Sequence, residues 1–131
     1  MAQTHYDPDI APVASGWLAL PEMERIRLVQ NYHVAARIKT PRMKAHAAIH
    51  AVVENQIATG YGPSERAVLR LQSQGLSRHE SIHAIGAVIA KFIHELSFEQ
   101  TEDQRASVQS RMSAAIERLD AKTWITGDDG G

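Results

Sequence analysis

Helix-start signals recur along this sequence, and the stretches between them carry the period of a helix rather than of a strand. Ser77-Arg78-His79-Glu80 and Thr101-Glu102-Asp103-Gln104 are capping-box sequences, in which a hydroxyl and a side chain three residues on satisfy each other's orphan backbone N–H groups. Pro21 and the pair Thr40-Pro41 suit the cap and first position of two further helices, and Ser64 opens another. After Pro21, Met23, Ile26, Val29, His33 and Ala36 recur at spacings of three and four, which is one helical face. Val108, Met112, Ala115, Ile116 and Leu119 form a similar stripe after Thr101. No segment alternates for long enough to make a strand, and there is no internal repeat at solenoid period. The sequence therefore predicts an all-α fold, a compact bundle of four to five helices. They run from Pro21 to Lys39, Pro41 to Thr59, Ser64 to Gln74, Arg78 to Leu96, and onward from Thr101. Gly60-Tyr61-Gly62-Pro63 ends the second, and Gly75 ends the third in the left-handed position common at helix C-termini.

A length of 131 residues suits one core. Residues 1–16, with Pro8, Pro12 and Gly16, read as an irregular N-terminal arm pinned at its end by Trp17, Leu18 and Leu20. Residues 17–123 read as a single helical domain, and residues 124–131, ending Gly-Asp-Asp-Gly-Gly, as a flexible, frayed tail. The 14 basic and 15 acidic side chains nearly cancel, so nothing electrostatic calls for nucleic acid or an anionic membrane as partner. Without cysteine there is no disulfide scaffold, thiolate metal site or cysteine nucleophile. The longest apolar stretch, Ile82 to Ile93, is interrupted by His83 and Lys91 and is too short to span a bilayer. The first residues lack the pattern of a secretory signal, which makes a cytoplasmic protein the expectation.

The histidines carry the functional signal. His46 and His50 lie on the second predicted helix, followed by Glu54, and His79 and His83 open the fourth. Residues four apart project from one helix face, so each pair presents two imidazoles together, as a metal ion requires when one helix supplies two nitrogen ligands. Seven histidines scattered over this length give about 0.3 such pairs, and two or more in roughly 4% of shuffles, so chance alone is a poor account. Both pairs lie in the first two turns of their helices. The residues beside them are small: Ala47, Ala48 and Ala51 on one helix, Ala84, Gly86, Ala87 and Ala90 on the other. Helix N-termini disfavour imidazolium and keep such rings neutral and able to ligate.

Each residue also has a plainer reading. A histidine pair can hydrogen-bond along its own helix. Glu80 is the expected partner of Ser77 in the capping box. Glu54 can ligate, accept a ring N–H or stand solvated. His33, on the apolar face of the first helix, reads as a core-edge residue, and His94 lies roughly 16 Å along the axis from His83, out of reach of the same ion. His79-Glu80-Ser81-Ile82-His83 also matches the H-E-x-x-H pattern of zinc hydrolases. Its place at a helix start, the charged Arg78 before it and the absence of a strand to align a peptide all count against that reading.

The strings His46-Ala-Ala-Ile-His50-Ala-Val-Val-Glu54-Asn55-Gln56 and Gly75-Leu-Ser-Arg78-His79-Glu80-Ser-Ile-His83-Ala-Ile-Gly86 resemble a group of small bacterial helical proteins of unassigned function. Those proteins carry a histidine-pair helix ending in Glu-Asn-Gln and then an Arg-His-Glu-x-x-His helix. The segment is similar to one that precedes the SEC-C zinc-binding motif in some longer bacterial proteins. The resemblance covers residues 43–94 and implies a helical fold; this sequence has no cysteine with which to make a SEC-C site.

The leading expectation is a small helical protein that binds one divalent transition metal between the second and fourth predicted helices. His46, His50, His79 and His83 would supply ligands, with Glu54 or Glu80 completing or supporting the set. Nitrogen and oxygen donors suit zinc, iron, nickel or copper. The alternative is a metal-free helical interaction module that docks a partner or a second copy, as a homo-oligomer. An H-E-x-x-H metal-dependent hydrolase is a third reading.

Overall fold

The computed structural model describes residues 4–126, and all regular structure among them is helical. The helices are α1 (Ala14–Leu18), α2 (Glu22–Ala35), α3 (Met43–Ala58), α4 (Gly62–Ser73), α5 (Arg78–Leu96), α6 (Glu102–Arg118) and α7 (Ala121–Thr126). The five predicted helices correspond to α2 to α6. The short α1 and α7 fall where the sequence suggested the end of the arm and the start of the tail. Residues 127–131, the rest of the expected tail, lie outside the described residues. No helix among those described is long and apolar enough to cross a membrane. The chain forms two compact units, Met1–Tyr61 and Gly62–Gly131.

In the first unit α2 and α3 make an antiparallel hairpin with α1 packed on α3. Ala47 and Ala51 are buried, and their small side chains let α3 approach its neighbours closely. They share a core with Tyr6, Trp17, Leu28 and Val29, and Leu20, Ile26 and Tyr32 pack against it. The turn between α2 and α3 is tighter than the sequence suggests. Helix α2 stops at Ala35, four residues before Lys39, because Arg37 turns left-handed at φ 61°. The Arg37 N–H donates to Val34 O and the Ile38 N–H to His33 O, which closes a Schellman motif. Helix α3 starts at Met43 rather than at the Thr40-Pro41 signal, since its cap, Arg42, is also left-handed at φ 55°. Each such non-glycine residue costs about 1 kcal/mol. Closing a short hairpin that packs two apolar helix faces offsets it. At the far end Gly60, at φ 79°, closes α3 in the same motif, as its N–H donates to Ile57 O and that of Tyr61 to Gln56 O.

In the second unit α4, α5 and α6 pack pairwise against one another. Leu71, Ile82, Ile89, Val108 and Ile116 are buried in it. Both capping boxes form as read: the Glu80 N–H donates to Ser77 Oγ, and the Gln104 N–H to Thr101 Oγ1. Gly75 takes the left-handed position at φ 106°. Arg70 satisfies the carbonyls that α6 leaves open at its C-terminus, donating to Leu119 O at 2.9 Å and to Ile116 O at 2.8 Å. On the surface Arg66 pairs with Glu117 and Arg111 with Glu95.

Candidate metal centre

Helix α3 places His46, His50 and Glu54 at intervals of four, on one face over three successive turns. The antiparallel hairpin brings the last turn of α2 against the first turn of α3, so His33 joins them. The ring centroids of His33 lie 4.9 Å from His46 and 5.4 Å from His50, all edge to face. His46 and His50 are 6.0 Å apart by the same measure. Each of the three offers one ring nitrogen, and these nitrogens lie within 4.8 Å of one another. A point about 2.8 Å or less from all three exists inside a triangle of that size, against about 2.0–2.1 Å for a zinc–nitrogen bond. Ring rotations of under about 1 Å close the difference.

The site is largely buried and its rings are held in place. His33 and His50 are 0% and 2% exposed, and His46 is half-buried. His33 Nδ1 lies 2.9 Å from Val29 O. A carbonyl only accepts, so the ring proton sits on Nδ1 and the lone pair on the solvent-inaccessible Nε2. That is the usual arrangement of a ligating histidine, with its second nitrogen anchored on the backbone.

Glu54, one turn beyond His50, is only 1% exposed and so is no solvated charge. Its Oε2 accepts the Tyr6 hydroxyl proton at 2.5 Å, and that hydroxyl lies 3.1 Å from Nε2 of His50. Tyr6 is buried, with its ring 5.5 Å from Trp17 and edge-on to Tyr32 and His50. Burial, together with the carboxylates of Asp7 and Asp9, pushes the neighbouring Tyr32 phenol up. Asn55 holds the scaffold on the adjacent face of α3. Its Oδ1 accepts from Trp17 Nε1 at 2.9 Å and from Arg25 at 3.0 Å, while Arg25 also donates to Leu18 O and Leu20 O. The consecutive residues Glu54 and Asn55 thus fasten the N-terminal segment through Tyr6 and α1 through Trp17.

The four histidines singled out in the sequence fall in separate units, two in each. In the second unit His79 and His83 lie with their Nε2 atoms 3.1 Å apart and their rings 4.4 Å apart, one donating to the other. Glu80 is exposed, and its Oε1 accepts the Ser77 N–H at 2.8 Å, so the capping role takes its carboxylate. Two residues of the centre escaped the sequence reading. His33 has the spacing of a core position, and only the hairpin reveals its neighbours. Tyr6 lies in a Pro-bounded segment without periodicity; a lone aromatic there was the one available sign of an anchor.

No protein-family model, curated protein or solved structure matches this chain.

Proposed function

We propose that the first unit binds one divalent transition metal through His33, His46 and His50. The observation that supports this best is the convergence of three imidazole nitrogens within 4.8 Å, drawn from two helices, with two of the rings buried. Nitrogen donors without thiolate suit zinc, iron, nickel or copper. Three nitrogens leave one position of a tetrahedral ion for a further protein ligand, which makes the centre structural, or for a water, which the ion would activate as a nucleophile. The Glu54 carboxyl, which accepts the Tyr6 hydroxyl proton, stands behind His50 as its outer partner. The H-E-x-x-H hydrolase reading draws no support from Glu80, whose carboxylate closes a helix cap.

Elemental analysis of tag-free protein purified without added metal, followed by calorimetric titration of the stripped protein with zinc(II), tests the proposal. The expected result is one saturable site per chain that disappears in His33→Ala. Absence of a saturable site for zinc, iron, nickel and copper ions overturns it.

A further inference from the structure

The hydrogen bonds around Tyr6 carry a consequence for the chemistry of His50. The Tyr6 hydroxyl owns one proton, and it gives that proton to Oε2 of Glu54. What remains towards Nε2 of His50, 3.1 Å away, is an oxygen lone pair. A lone pair on oxygen cannot meet a lone pair on nitrogen without repulsion, so Nε2 must carry the ring proton. In a neutral imidazole the other nitrogen, Nδ1, then carries the lone pair, and Nδ1 of His50 is solvent-inaccessible.

We infer that Tyr6 and Glu54 are positioning residues that fix His50 as the Nε2–H tautomer and so make Nδ1 its ligating atom. The inference rests on the proposed metal site for its consequence, though not for its geometry. Free histidine in water prefers this same tautomer only slightly, and in the folded protein the hydrogen bond at one ring nitrogen sets which of the two carries the proton. The chain Glu54 carboxylate, Tyr6 hydroxyl, His50 ring does two things. It selects the proton position, and it holds the ring plane against rotation from outside the ligand set. A carboxylate at its end makes the imidazole a better electron donor, because the positive charge a bound cation induces on the ring is relayed towards Glu54. His33 reaches a similar state through a backbone carbonyl. The two buried rings therefore present opposite nitrogens, Nε2 from α2 and Nδ1 from α3. This lets helices packed this closely aim at one point.

The test has an arm that needs no metal. Nitrogen-15 spectra of the imidazoles in the metal-free wild type should show His50 protonated at Nε2. In Tyr6→Phe, which keeps the ring packed against Trp17, that signature should broaden or shift towards a tautomer mixture. Zinc(II) affinity of Tyr6→Phe and of Glu54→Gln should fall 10- to 100-fold, the range seen when a ligand's outer partner is lost. Helical circular dichroism should be unchanged. A His50 protonated at Nδ1 in the wild type overturns the inference, as does Tyr6→Phe binding zinc as tightly as the wild type. If the wild type binds no metal the proposed site falls, while the spectra still decide the tautomer.

Discussion

His33 and His46 come from different helices, yet their rings meet edge to face with centroids 4.9 Å apart. Neither member of that contact is the other's helical neighbour. It exists because Arg37 and Arg42 turn the chain through two left-handed residues, so the end of α2 faces the start of α3. The hairpin is thus a precondition of the centre. A metal held here, as proposed, would tie two helices together at the point where the turn leaves them close.

That arrangement predicts how the ligands share binding energy. His33→Ala and His50→Ala should each lower zinc affinity steeply, and the double variant should lose little more than the worse single, since residues acting on one ion are strongly non-additive. His94→Ala changes an exposed ring that meets Phe98 edge to face and should leave affinity unaltered. Zinc at a hundredfold excess over Kd should stabilise the fold by about 2.7 kcal/mol, visible as a rise in Tm. The rise should fade between about pH 7 and pH 5, as protons compete for imidazole nitrogen. Additive losses, or a loss in His94→Ala, would show that the ion binds elsewhere.

Glu80 separates the capping role from a hydrolytic one. Glutamine can still accept the Ser77 N–H, so Glu80→Gln should leave stability within about 0.5 kcal/mol of the wild type. Ser77→Ala removes the acceptor for the Glu80 N–H and should cost about 1 kcal/mol. Thermal denaturation of both variants checks the pair. A Glu80→Gln variant that keeps its fold but loses a peptidase activity of the wild type would restore the H-E-x-x-H reading.

The surface ion pairs predict a small acid sensitivity. Hydrogen bonds from Arg66, Arg111 and Arg27 hold the carboxyls of Glu117, Glu95 and Glu24 below their usual range, and the Thr123 backbone N–H does the same for Asp120. A depressed folded value means stability that is present above the ordinary carboxylate value of 4.5 and lost as pH falls through the folded one. The Tm difference between wild type and Arg111→Met should therefore be small at pH 7, shrink below about pH 4.5, and shrink in high salt. A difference that grows on acidification would contradict this sign.

Local signals made the helices legible and left the centre only half so. Ser77 with Glu80, Thr101 with Gln104, and Gly75 each act within a few residues, and all three sit where the sequence places them. The Thr40-Pro41 signal misleads because Arg42 takes the cap in a conformation that only the closed hairpin stabilises. His46 and His50 were readable because their spacing is helical. His33 belongs to the same cluster through a turn that no spacing rule encodes, and Tyr6 reaches it across 44 residues. Contacts of that range depend on how helices pack, and one sequence does not spell that out.

Asn55 offers the sharpest test of what holds the first unit together. Its Oδ1 accepts from both Trp17 Nε1 and Arg25, so the side chain joins α1, α2 and α3 on the face next to the histidines. Asn55→Asp keeps that oxygen and adds charge facing Arg25, though it also sets a second carboxylate near Glu22. The gain and the cost are similar, so stability should change by less than about 1 kcal/mol. Asn55→Leu strands a buried indole N–H and removes an acceptor from Arg25, at a cost of about 1–3 kcal/mol. Trp17→Ala, at a fully buried position, should cost more, about 3–5 kcal/mol. Urea denaturation should rank the three as Asp, Leu, then Trp17→Ala. Zinc affinity at temperatures well below Tm should stay near the wild-type value in both Asn55 variants, because the Asn55 side chain bonds Trp17 and Arg25 on the adjacent face of α3. If Asn55→Leu loses zinc while still folded, the two faces of α3 are coupled, and the histidine cluster depends on the α1 latch as well as on the hairpin turn.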